Sequence, residues 1–443
     1  MKNRSIISSL AIESVNVTVA GRIVALRKMK NYCFCDMTDM SGKIQLVIAD
    51  MELALPNVGD IVKAEGKTSR TKTGQLSIEC SHLLIISQST IEVANALKNV
   101  SYNKFDINRQ RTLNIIANED LKKMIKVRSS FIEIIRQQLR LNGFLEIDAP
   151  VLSYSRFAGT ADAFVVKSRK LERDLYLRGT LEIYLKELVV AGFEKVFQVG
   201  DCFRNESPSL MEFTLLEANW AYADSKEMLN LIQNIIKSLC EQLSDSDVDP
   251  SMKRILAKKI FTVTFWDALN KYFGLDIRKA EKNKVLNLAK KEGYIFRKSV
   301  DYDYELAKFG YEVIKRKVSK EFKSITFVSN FPSCISPLAK KMQDYSGEAD
   351  RGYGFFKGKR LFEIVGEVND FQEQITNFQM QEERSHNKAQ SFKNDNLLNS
   401  LSYGCPPMAG VGINVNRFLA VLLKTNTTSD VMPFPLTSSA LPL

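Results

Sequence analysis

Three clusters of residues in this sequence have the types and spacing needed for chemistry. The first is the tetrapeptide FRNE at 203–206, which is followed after five residues by the acidic run EFTLLE at 212–217. An arginine at the end of a strand binds a phosphate or a carboxylate through two hydrogen bonds, and facing glutamates bind an ammonium group or a metal ion. The alternative is structural, because arginine and glutamate often pair across a hairpin.

The second cluster lies in LFEIVGEVND, where Glu363 and Glu367 are followed by an Asn-Asp pair. These oxygen-bearing side chains suit an Mg²⁺ ion that bridges nucleotide phosphates, although paired acids also occur on solvated faces. The third cluster is GVGINVNR at 410–417. Its glycines let a substrate approach the backbone closely, and Arg417 in the first turn of the following helix can reach a triphosphate. Glycines that pack against a sheet are the structural alternative.

The scarcity of histidine limits the chemistry further. His82 and His386 are the two histidines of the sequence, so any reaction must rest on carboxylates, arginines and bound metal. The seven cysteines are scattered, which indicates a reduced cytoplasmic protein without a disulfide framework or a zinc site. No run approaches 18 uncharged apolar residues, so neither a membrane span nor a cleaved signal peptide is expected.

The charge balance favours a polyanionic partner without identifying one. The chain has 62 Lys and Arg against 51 Asp and Glu, a formal net charge of +11. Residues 1–120 contain 15 basic and 12 acidic residues, which leaves +8 for the remainder. We therefore expect positive charge to be spread along the chain rather than gathered in a basic tail.

Two kinds of element precede the first cluster. Five short runs rich in β-branched residues between 15 and 87, separated by turns that contain Gly and Asp, predict a small closed barrel of the oligonucleotide/oligosaccharide-binding (OB) kind. From Leu121 onwards the apolar spacing predicts an amphipathic helix that Gly143 ends, followed by a strand that Pro150 ends.

The rest of the chain predicts an α+β catalytic domain. Runs at 194–203 and 213–222 form an antiparallel hairpin around the first cluster, and a mainly helical segment follows at about 225–320. Strands and helices do not alternate regularly, which favours an antiparallel sheet over a Rossmann fold. The predicted organisation is an all-β OB-fold domain at 1–95, a linker at 96–120 and the antiparallel-sheet catalytic domain at 121–443, with the helical segment as an insertion.

Taken together and in this order, the clusters resemble the signature motifs of the class II aminoacyl-tRNA synthetases. The helix with FLEIDAPVL is similar to motif 1, FRNE with EFTLLE to motif 2, and GVGINVNRFLAVLL to motif 3. Within the class the chain is most similar to the lysyl-tRNA synthetases, through DLYLRGTLEIYLKELVVAGFEKVFQVGDCFRNE, WAYAD, SPLAK, YGCPPMAGVG and TKTGQLSIEC. The resemblance covers about residues 17–436, including the barrel.

The resemblance implies a role for each matching residue. Arg204 would bind the substrate carboxylate and the α-phosphate of ATP, and Arg417 would bind the γ-phosphate, which makes these two the catalytic residues. The resemblance also implies adenine contacts at Glu206 and Phe213, amino-acid contacts at Glu182, Glu217 and the position of Asn219, Mg²⁺ ligands at Glu363 and Glu367, and tRNA anticodon contacts at Phe34, Gln45 and Gln75.

Several positions depart from the family pattern. The motif 2 loop SPSLM is shorter and lacks an Arg-His pair, and Asn219 stands where the family has a tyrosine beside the ε-ammonium group of lysine. Motif 3 has Asn414 in place of a glycine and Asn416 in place of a carboxylate. Ser429 replaces an arginine, and Gln75 replaces a glutamate.

The resemblance therefore implies a lysine–tRNA ligase. Such an enzyme activates lysine with ATP and Mg²⁺ to lysyl-adenylate and transfers it to tRNA, here the lysine tRNA, as a cytoplasmic homodimer. The departures leave two alternatives open. One is a paralogue that activates another amino acid or uses another acceptor, and the other is a tRNA-binding regulator without catalysis.

Overall fold

The computed structural model describes residues 4–10, 14–49, 54–71, 74–98, 111–154, 162–206, 211–297, 301–343, 347–384 and 395–436. The chain divides into two compact units, one up to Lys122 and the other from Lys123 to Leu441. No helix in the described ranges has the length and apolar character needed to cross a membrane.

The first unit contains the closed five-stranded barrel that its β-branched runs predict. The strands are β1 (Asn16–Lys28), β2 (Cys33–Thr38), β3 (Lys43–Ile48), β4 (Ile61–Arg70) and β5 (Leu76–Ser87), and helices α1 (Ile91–Lys98) and α2 (Arg111–Ala117) follow. The strands close in the order β1-β2-β3-β5-β4. Because side chains alternate between the two faces of a strand, Cys33 and Cys35 point into the apolar core while Phe34 faces outward.

The second unit is built around an eight-stranded sheet in the order β12-β13-β16-β17-β18-β11-β10-β6. The strands of this unit are β6 (Leu145–Glu146), β7 (Leu152–Ser153), β8 (Val165–Ser168), β9 (Arg173–Leu177), β10 (Lys195–Phe203), β11 (Glu212–Ala221), β12 (Phe261–Thr264), β13 (Thr326–Ser329), β14 (Phe331–Pro332), β15 (Glu348–Ala349), β16 (Arg351–Phe356), β17 (Lys359–Gly366) and β18 (Met408–Asn414). The central strands pair antiparallel, which confirms the α+β fold class. The edge strands β6 and β12 pair parallel to their neighbours, which the sequence pattern does not predict.

The helices of the second unit include the predicted amphipathic helix. They are α3 (Glu119–Leu141), α4 (Glu182–Val190), α5 (Ser225–Gln242), α6 (Pro250–Leu256), α7 (Phe265–Phe273), α8 (Lys282–Lys291), α9 (Tyr302–Arg316), α10 (Phe371–Arg384), α11 (Asp395–Ser402) and α12 (Val415–Leu422). The predicted apolar face of α3 is buried, and its Phe131 packs on Phe418 of α12 with 5.3 Å between the ring centroids. Gly143 follows the helix with a φ of 84°, which a residue with a Cβ rarely adopts.

The predicted helical insertion has an apolar core of its own. Helices α7, α8 and α9 pack together there, with Phe265 and Phe309 at the centre. Thr264 caps α7 by accepting a hydrogen bond from the backbone N–H of Asp267, as the T-x-x-D spacing predicts. The segment is not wholly helical, because β12 lies inside it and joins it to the edge of the main sheet.

Arg128 on α3 connects the elements that carry all three motifs. Its guanidinium donates to the Thr214 hydroxyl on β11 at 2.7 Å and to the side-chain oxygen of Asn416 on α12 at 3.1 Å. Thr214 in turn donates to the Asp201 carboxylate at 2.7 Å. Asn416 is fully buried and its amide nitrogen has no partner among the described residues. A carboxylate at position 416 would satisfy Arg128 without leaving a buried donor unpaired.

We expect Asn416→Asp to stabilise the protein. The substitution removes the unpaired amide nitrogen and gives Arg128 a charged acceptor, a change of about 1–3 kcal/mol in the free energy of unfolding. Thermal and urea unfolding at neutral pH measure the change. Asn416→Ala is the control and should destabilise the protein, because Arg128 then loses an acceptor. A lower melting temperature for Asn416→Asp than for the wild type would contradict this account.

Candidate active site

The three sequence clusters meet in one cavity of about 710 Å³ in the second unit. The strands β11, β17 and β18 bring them together, with α4 and α9 contributing to the walls. The cavity is lined by every residue predicted for the catalytic and substrate sites, namely Glu182, Arg204, Glu206, Phe213, Glu217, Asn219, Glu363, Glu367 and Arg417. Residues 207–210 of the motif 2 loop lie outside the described residues.

Strand register explains why residues so far apart in the chain share this cavity. Gly412 of β18 lies opposite Glu217 of β11 on one side and opposite Glu363 of β17 on the other, so all three occupy one face of the sheet. Gly410 is needed for space, because a Cβ there would lie 2.4 Å from a carboxylate oxygen of Glu367. Gly410 of the third cluster therefore makes room for an acidic side chain of the second cluster.

The carboxylate of Glu217 is half-buried in the wall of the cavity, in the part that we call the acidic end. It accepts hydrogen bonds from the Thr180 hydroxyl at 2.9 Å and from the backbone N–H of Leu181 at 3.0 Å. Burial, and then the nearby charge of Glu182, raise the pKa of Glu217 to about 8. Glu217 is therefore an acidic group without a cation beside it. An ammonium group bound there would restore the negative charge of its carboxylate.

Two cations that the sequence reasoning missed neutralise the other cavity carboxylates. The fully buried ammonium of Lys186 lies 2.6 Å from Glu182 and 2.7 Å from Glu367. Burial alone would lower the pKa of Lys186, but the charges of the two carboxylates outweigh the effect of burial, and the pKa of Lys186 is raised. The i,i+4 spacing of Glu182 and Lys186 on α4 was the available signal for the first pair. No local sequence pattern predicts the contact between Lys186 and Glu367, because the two residues are far apart in the chain.

Arg351 neutralises Glu363, as Lys186 neutralises Glu182 and Glu367. Its guanidinium contacts the Glu363 carboxylate at 2.7 and 2.8 Å. Burial alone would raise the pKa of Glu363, but Arg351 and then Arg360 outweigh it and hold the pKa below its usual range. Glu363 is therefore an ionised carboxylate that faces the cavity.

Arg204, Arg360 and Arg417 give the adjoining part of the cavity, which we call the arginine end, an excess of positive charge. Arg204 donates to the carbonyl of Gly179 at 3.1 and 3.2 Å and lies over the ring of Phe213. Arg417 donates to the carbonyl of Arg360 at 3.0 Å. Burial, and then the charge of Arg360, lower the pKa of Arg417 to about 10. No described carboxylate lies within ion-pair distance of Arg204, Arg360 or Arg417, so this end suits a polyanion such as a polyphosphate.

Asn414 has a local structural role at the position where the family has a glycine. It is the N-cap of α12, and its side-chain oxygen accepts a hydrogen bond from the backbone N–H of Arg417 at 2.8 Å. The cap fixes the first turn of the helix from which Arg417 enters the cavity. This departure from the family pattern therefore preserves the position of the arginine.

The two predicted metal ligands line the same cavity without forming a close pair. Glu363 lies on β17 and Glu367 directly follows the last residue of that strand, so four residues of extended chain, about 13 Å between Cα atoms, separate them. Each already contacts a cation of the chain, Arg351 and Lys186 respectively. Within the described ranges, no three or more His, Cys, Asp or Glu side chains are grouped as a metal site. Glu363 fits a metal better, because its carboxylate is ionised.

The residues predicted to contact an anticodon lie on one outer face of the barrel. Gln45 of β3 lies opposite Asp36 of β2 and next to Ser77 of β5, which places it on the face that carries Phe34 and Gln75. Gln45 is buried, whereas Gln75 is exposed. The sequence reasoning missed Tyr32, which is exposed with its ring centroid 6.4 Å from that of Phe34.

Comparisons with known proteins agree with this layout. Residues 106–438 match the family model of class II tRNA synthetases (D, K and N), and residues 17–86 match that of the OB-fold nucleic acid binding domain. Among the similar curated proteins are those named lysine–tRNA ligase from Yersinia pestis (strain Pestoides F) and from Yersinia pseudotuberculosis serotype O:1b (strain IP 31758). Each is 30% identical to this chain over 444 aligned residues, which cover 95% of this chain and 86% of the relative.

The raised pKa of Glu217 predicts a pH-dependent gain in stability for Glu217→Gln. An unfolded glutamate titrates near 4.3, so the stability that Glu217 contributes is full below about pH 4 and is lost as the pH rises to about 8. The variant should therefore match the wild type near pH 4 and exceed its free energy of unfolding by on the order of 2 kcal/mol at pH 8. Urea unfolding across this pH range measures the difference.

Glu206→Gln is the matched control, because Glu206 is an exposed carboxylate of the same cavity. Its difference from the wild type should not change with pH. A Glu217→Gln difference that is independent of pH would show that the pKa of Glu217 is the same in the folded and unfolded protein, contrary to the burial argument.

Proposed function

The chain belongs to the class II tRNA synthetases (D, K and N), and we propose that within this family it is a lysine–tRNA ligase. The proposal rests on one observation above all: the carboxylate of Glu217, which has no cation within ion-pair distance among the described residues, lines the same cavity as three arginines without acidic partners. A pair of ligands, one with an ammonium group and one with phosphates, would supply the missing counter-charges for Glu217 and for the arginines. Lysine together with ATP is such a pair of ligands.

Lysine would occupy the acidic end of the cavity. Its two ammonium groups would be taken by Glu217, which has no cation of its own, and by Glu182, which is shared with Lys186. Binding an ammonium group would restore the charge of Glu217, because an opposite charge at hydrogen-bond distance lowers a carboxyl pKa. Asn219 is buried on the same wall, next to Gly410 and Met408. A longer side chain at this position would reach further into the cavity.

ATP would occupy the arginine end. Phe213 and Glu206 line the cavity next to Arg204, where an aromatic ring and a carboxylate suit stacking and hydrogen bonding of adenine. Arg417, with Arg360 beside it, would bind the terminal phosphates. Arg360 has no counterpart among the residues expected from the sequence, and it supplies charge at this end.

The reaction would begin with the carboxylate of lysine. Its oxygen attacks the α-phosphorus of ATP, the bond to the β-phosphate oxygen breaks, and pyrophosphate leaves with the electron pair. Arg204 would bring the two anions together and neutralise the charge that develops on the α-phosphate. A ribose hydroxyl at the 3′ end of tRNA then attacks the carbonyl carbon, loses its proton, and displaces AMP. The first step needs no general base, which agrees with the absence of histidine among the described residues that line the cavity.

Mg²⁺ would accompany ATP into this cavity. Glu363 would hold it, because its carboxylate is ionised and faces the cavity, and Glu367 would be a second ligand if Lys186 yields its contact. The ion would supply positive charge to the phosphates, alongside the arginines. The barrel would bind the anticodon of the tRNA, with Phe34 and Tyr32 as stacking rings and Gln45 and Gln75 as hydrogen-bonding amides.

We expect lysine-dependent ATP–pyrophosphate exchange by the purified protein, and its loss in Arg204→Ala and in Arg417→Ala. Each substitution leaves phosphate charge without a partner, and removal of one positioned charge of this kind lowers the rate on the order of 10²-fold or more. Arg136→Ala is the control, because this arginine pairs with Glu146 outside the cavity. It should exchange at the wild-type rate.

The same assay separates the lysine assignment from its alternatives. Exchange with another amino acid and none with lysine would establish a paralogue, and no exchange with any amino acid would favour a non-catalytic RNA-binding protein. Wild-type exchange in Arg417→Ala with normal folding would refute the role given to that arginine.

We also propose that the protein is a homodimer. Leu152 of β7 and Val166 of β8 are exposed apolar side chains on one face of the small sheet β7-β9-β8, on the two strands that flank β9, and the exposed Tyr154 follows β7. A patch of this kind indicates an interface, and motif 1 supplies one in the family. Charge at its centre should dissociate the dimer.

Light scattering should give about twice 50.2 kDa for the wild type and about 50 kDa for Leu152→Asp. Ile295→Asp is the control, since Ile295 is more exposed than Leu152 and belongs to the helical insertion. A monomeric wild type at micromolar concentration, or a Leu152→Asp variant as dimeric as the control, would contradict the proposed interface.

A further inference from the structure

The positive charge of this chain is concentrated in one part of the helical insertion. Residues 251–300 contain 13 Lys and Arg against four Asp and Glu, a net charge of +9 out of +11 for the whole chain. The 50 residues before them contain three basic and ten acidic residues. The expectation of evenly spread charge is therefore wrong, because the net charge beyond residue 120 is unevenly distributed.

Helix α8 presents this charge to solvent. Its buried side is formed by Val285 and Ala289, which pack into the core of the insertion. Its lysines at 282, 284, 290 and 291 are all exposed, and we call them the α8 lysine face. Lys284 and Lys291 are seven residues apart and therefore lie on the same side of the helix.

The α8 lysine face is not balanced by acidic neighbours. None of its four lysines has a carboxylate within 4 Å among the residues that the structure describes, whereas Lys279 and Lys317 nearby do, at 3.6 and 3.9 Å. Lys282 lies instead over the ring of Tyr302 at 4.8 Å. Four exposed cations without local counter-ions create a positive potential that attracts a polyanion.

Helix α9 connects this surface to the catalytic cavity. Its Leu306, Phe309 and Val313 pack with α8 in the core of the insertion. Its opposite face, Tyr304, Lys308 and Tyr311, at i, i+4 and i+7, lines the cavity. A polyanion on α8 is thus one helix layer away from the cavity, and Lys308 adds a further cation on the cavity side.

We propose that the α8 lysine face binds the phosphate backbone of the acceptor arm of tRNA. The inference rests on the proposed function, which requires the 3′ end of the tRNA to enter the cavity while the duplex behind it lies on the adjoining surface. Lysines bind backbone phosphates as point charges without reading sequence, so the contact would position the acceptor arm rather than select the tRNA.

The test compares two double variants that each remove two positive charges. Lys284→Ala with Lys291→Ala changes the α8 lysine face, and Lys226→Ala with Lys237→Ala changes two exposed lysines of α5 as the control. Fluorescence anisotropy at increasing salt would measure the binding of an acceptor-arm minihelix and of an anticodon stem-loop, both from a lysine tRNA. Lysine-dependent pyrophosphate exchange would be measured in parallel, because it needs no RNA.

We expect the α8 variant to bind the minihelix about tenfold more weakly than the control variant. The slope of log K against log salt should also fall by roughly one to two units, since each lost phosphate contact releases one counter-ion fewer. Binding of the anticodon stem-loop and pyrophosphate exchange should stay at wild-type levels in both variants.

Two outcomes would overturn the proposal. One is an α8 variant that binds the minihelix as the control variant does, which would leave an acidic protein as the partner of this surface. The other is a wild type that does not bind the minihelix. A wild type that binds the minihelix through α8 but exchanges no amino acid would refute the ligase function and leave the RNA surface standing, so the two failures are distinguishable.

Discussion

The structure of the catalytic unit depends on holding opposite charges apart inside one cavity. Glu217 has neutral hydrogen-bond donors in place of a cation, and Arg204 and Arg417 donate to carbonyl oxygens in place of an anion. Groups buried in this way lose hydration that no counter-ion replaces, which destabilises the protein without ligands. A ligand with matching charges at both ends recovers that free energy on binding, so the same feature explains both the strain and the selectivity of the site.

The surrounding fold keeps this arrangement rigid. The strands β11, β18 and β17 are adjacent in the sheet, and the absence of a side chain at Gly410 leaves room above β18 for the carboxylate of Glu367. Lys186 and Arg351 neutralise the acids that the ligand does not need, which limits the uncompensated charge. Arg128 fixes α3 and α12 to β11 from another direction.

The sequence predicted the fold class well, because FRNE, the acidic run and the Gly-rich stretch each lie within a single hairpin or strand-helix junction, where spacing determines geometry. The roles of individual residues came from the family resemblance, and the residues that it implies for catalysis and substrate binding line the cavity. The sequence did not predict the charges that Lys186, Arg351 and Arg360 contribute to the site, because two of their partners, Glu367 and Tyr311, come from distant parts of the chain. The sequence also did not predict the different roles of Asn414 and Asn416. Both are asparagines in one short motif, yet one caps a helix and the other leaves a buried donor unpaired.

The buried contacts of Lys186 also constrain how this lineage can change. Its ammonium is shared by carboxylates from α4 and from the residue after β17, so loss of Lys186 leaves two carboxylates without a cation, whereas loss of one carboxylate leaves the other paired with Lys186. Breaking a buried pair by removing one partner costs about 3–5 kcal/mol, a large part of the stability of a typical domain. A single substitution of Lys186 is therefore blocked, and this position can change only together with its carboxylates. Asn219, which also lines the cavity, carries no charge, so a change there leaves no ion unpaired, and new substrate preferences can first arise at that position.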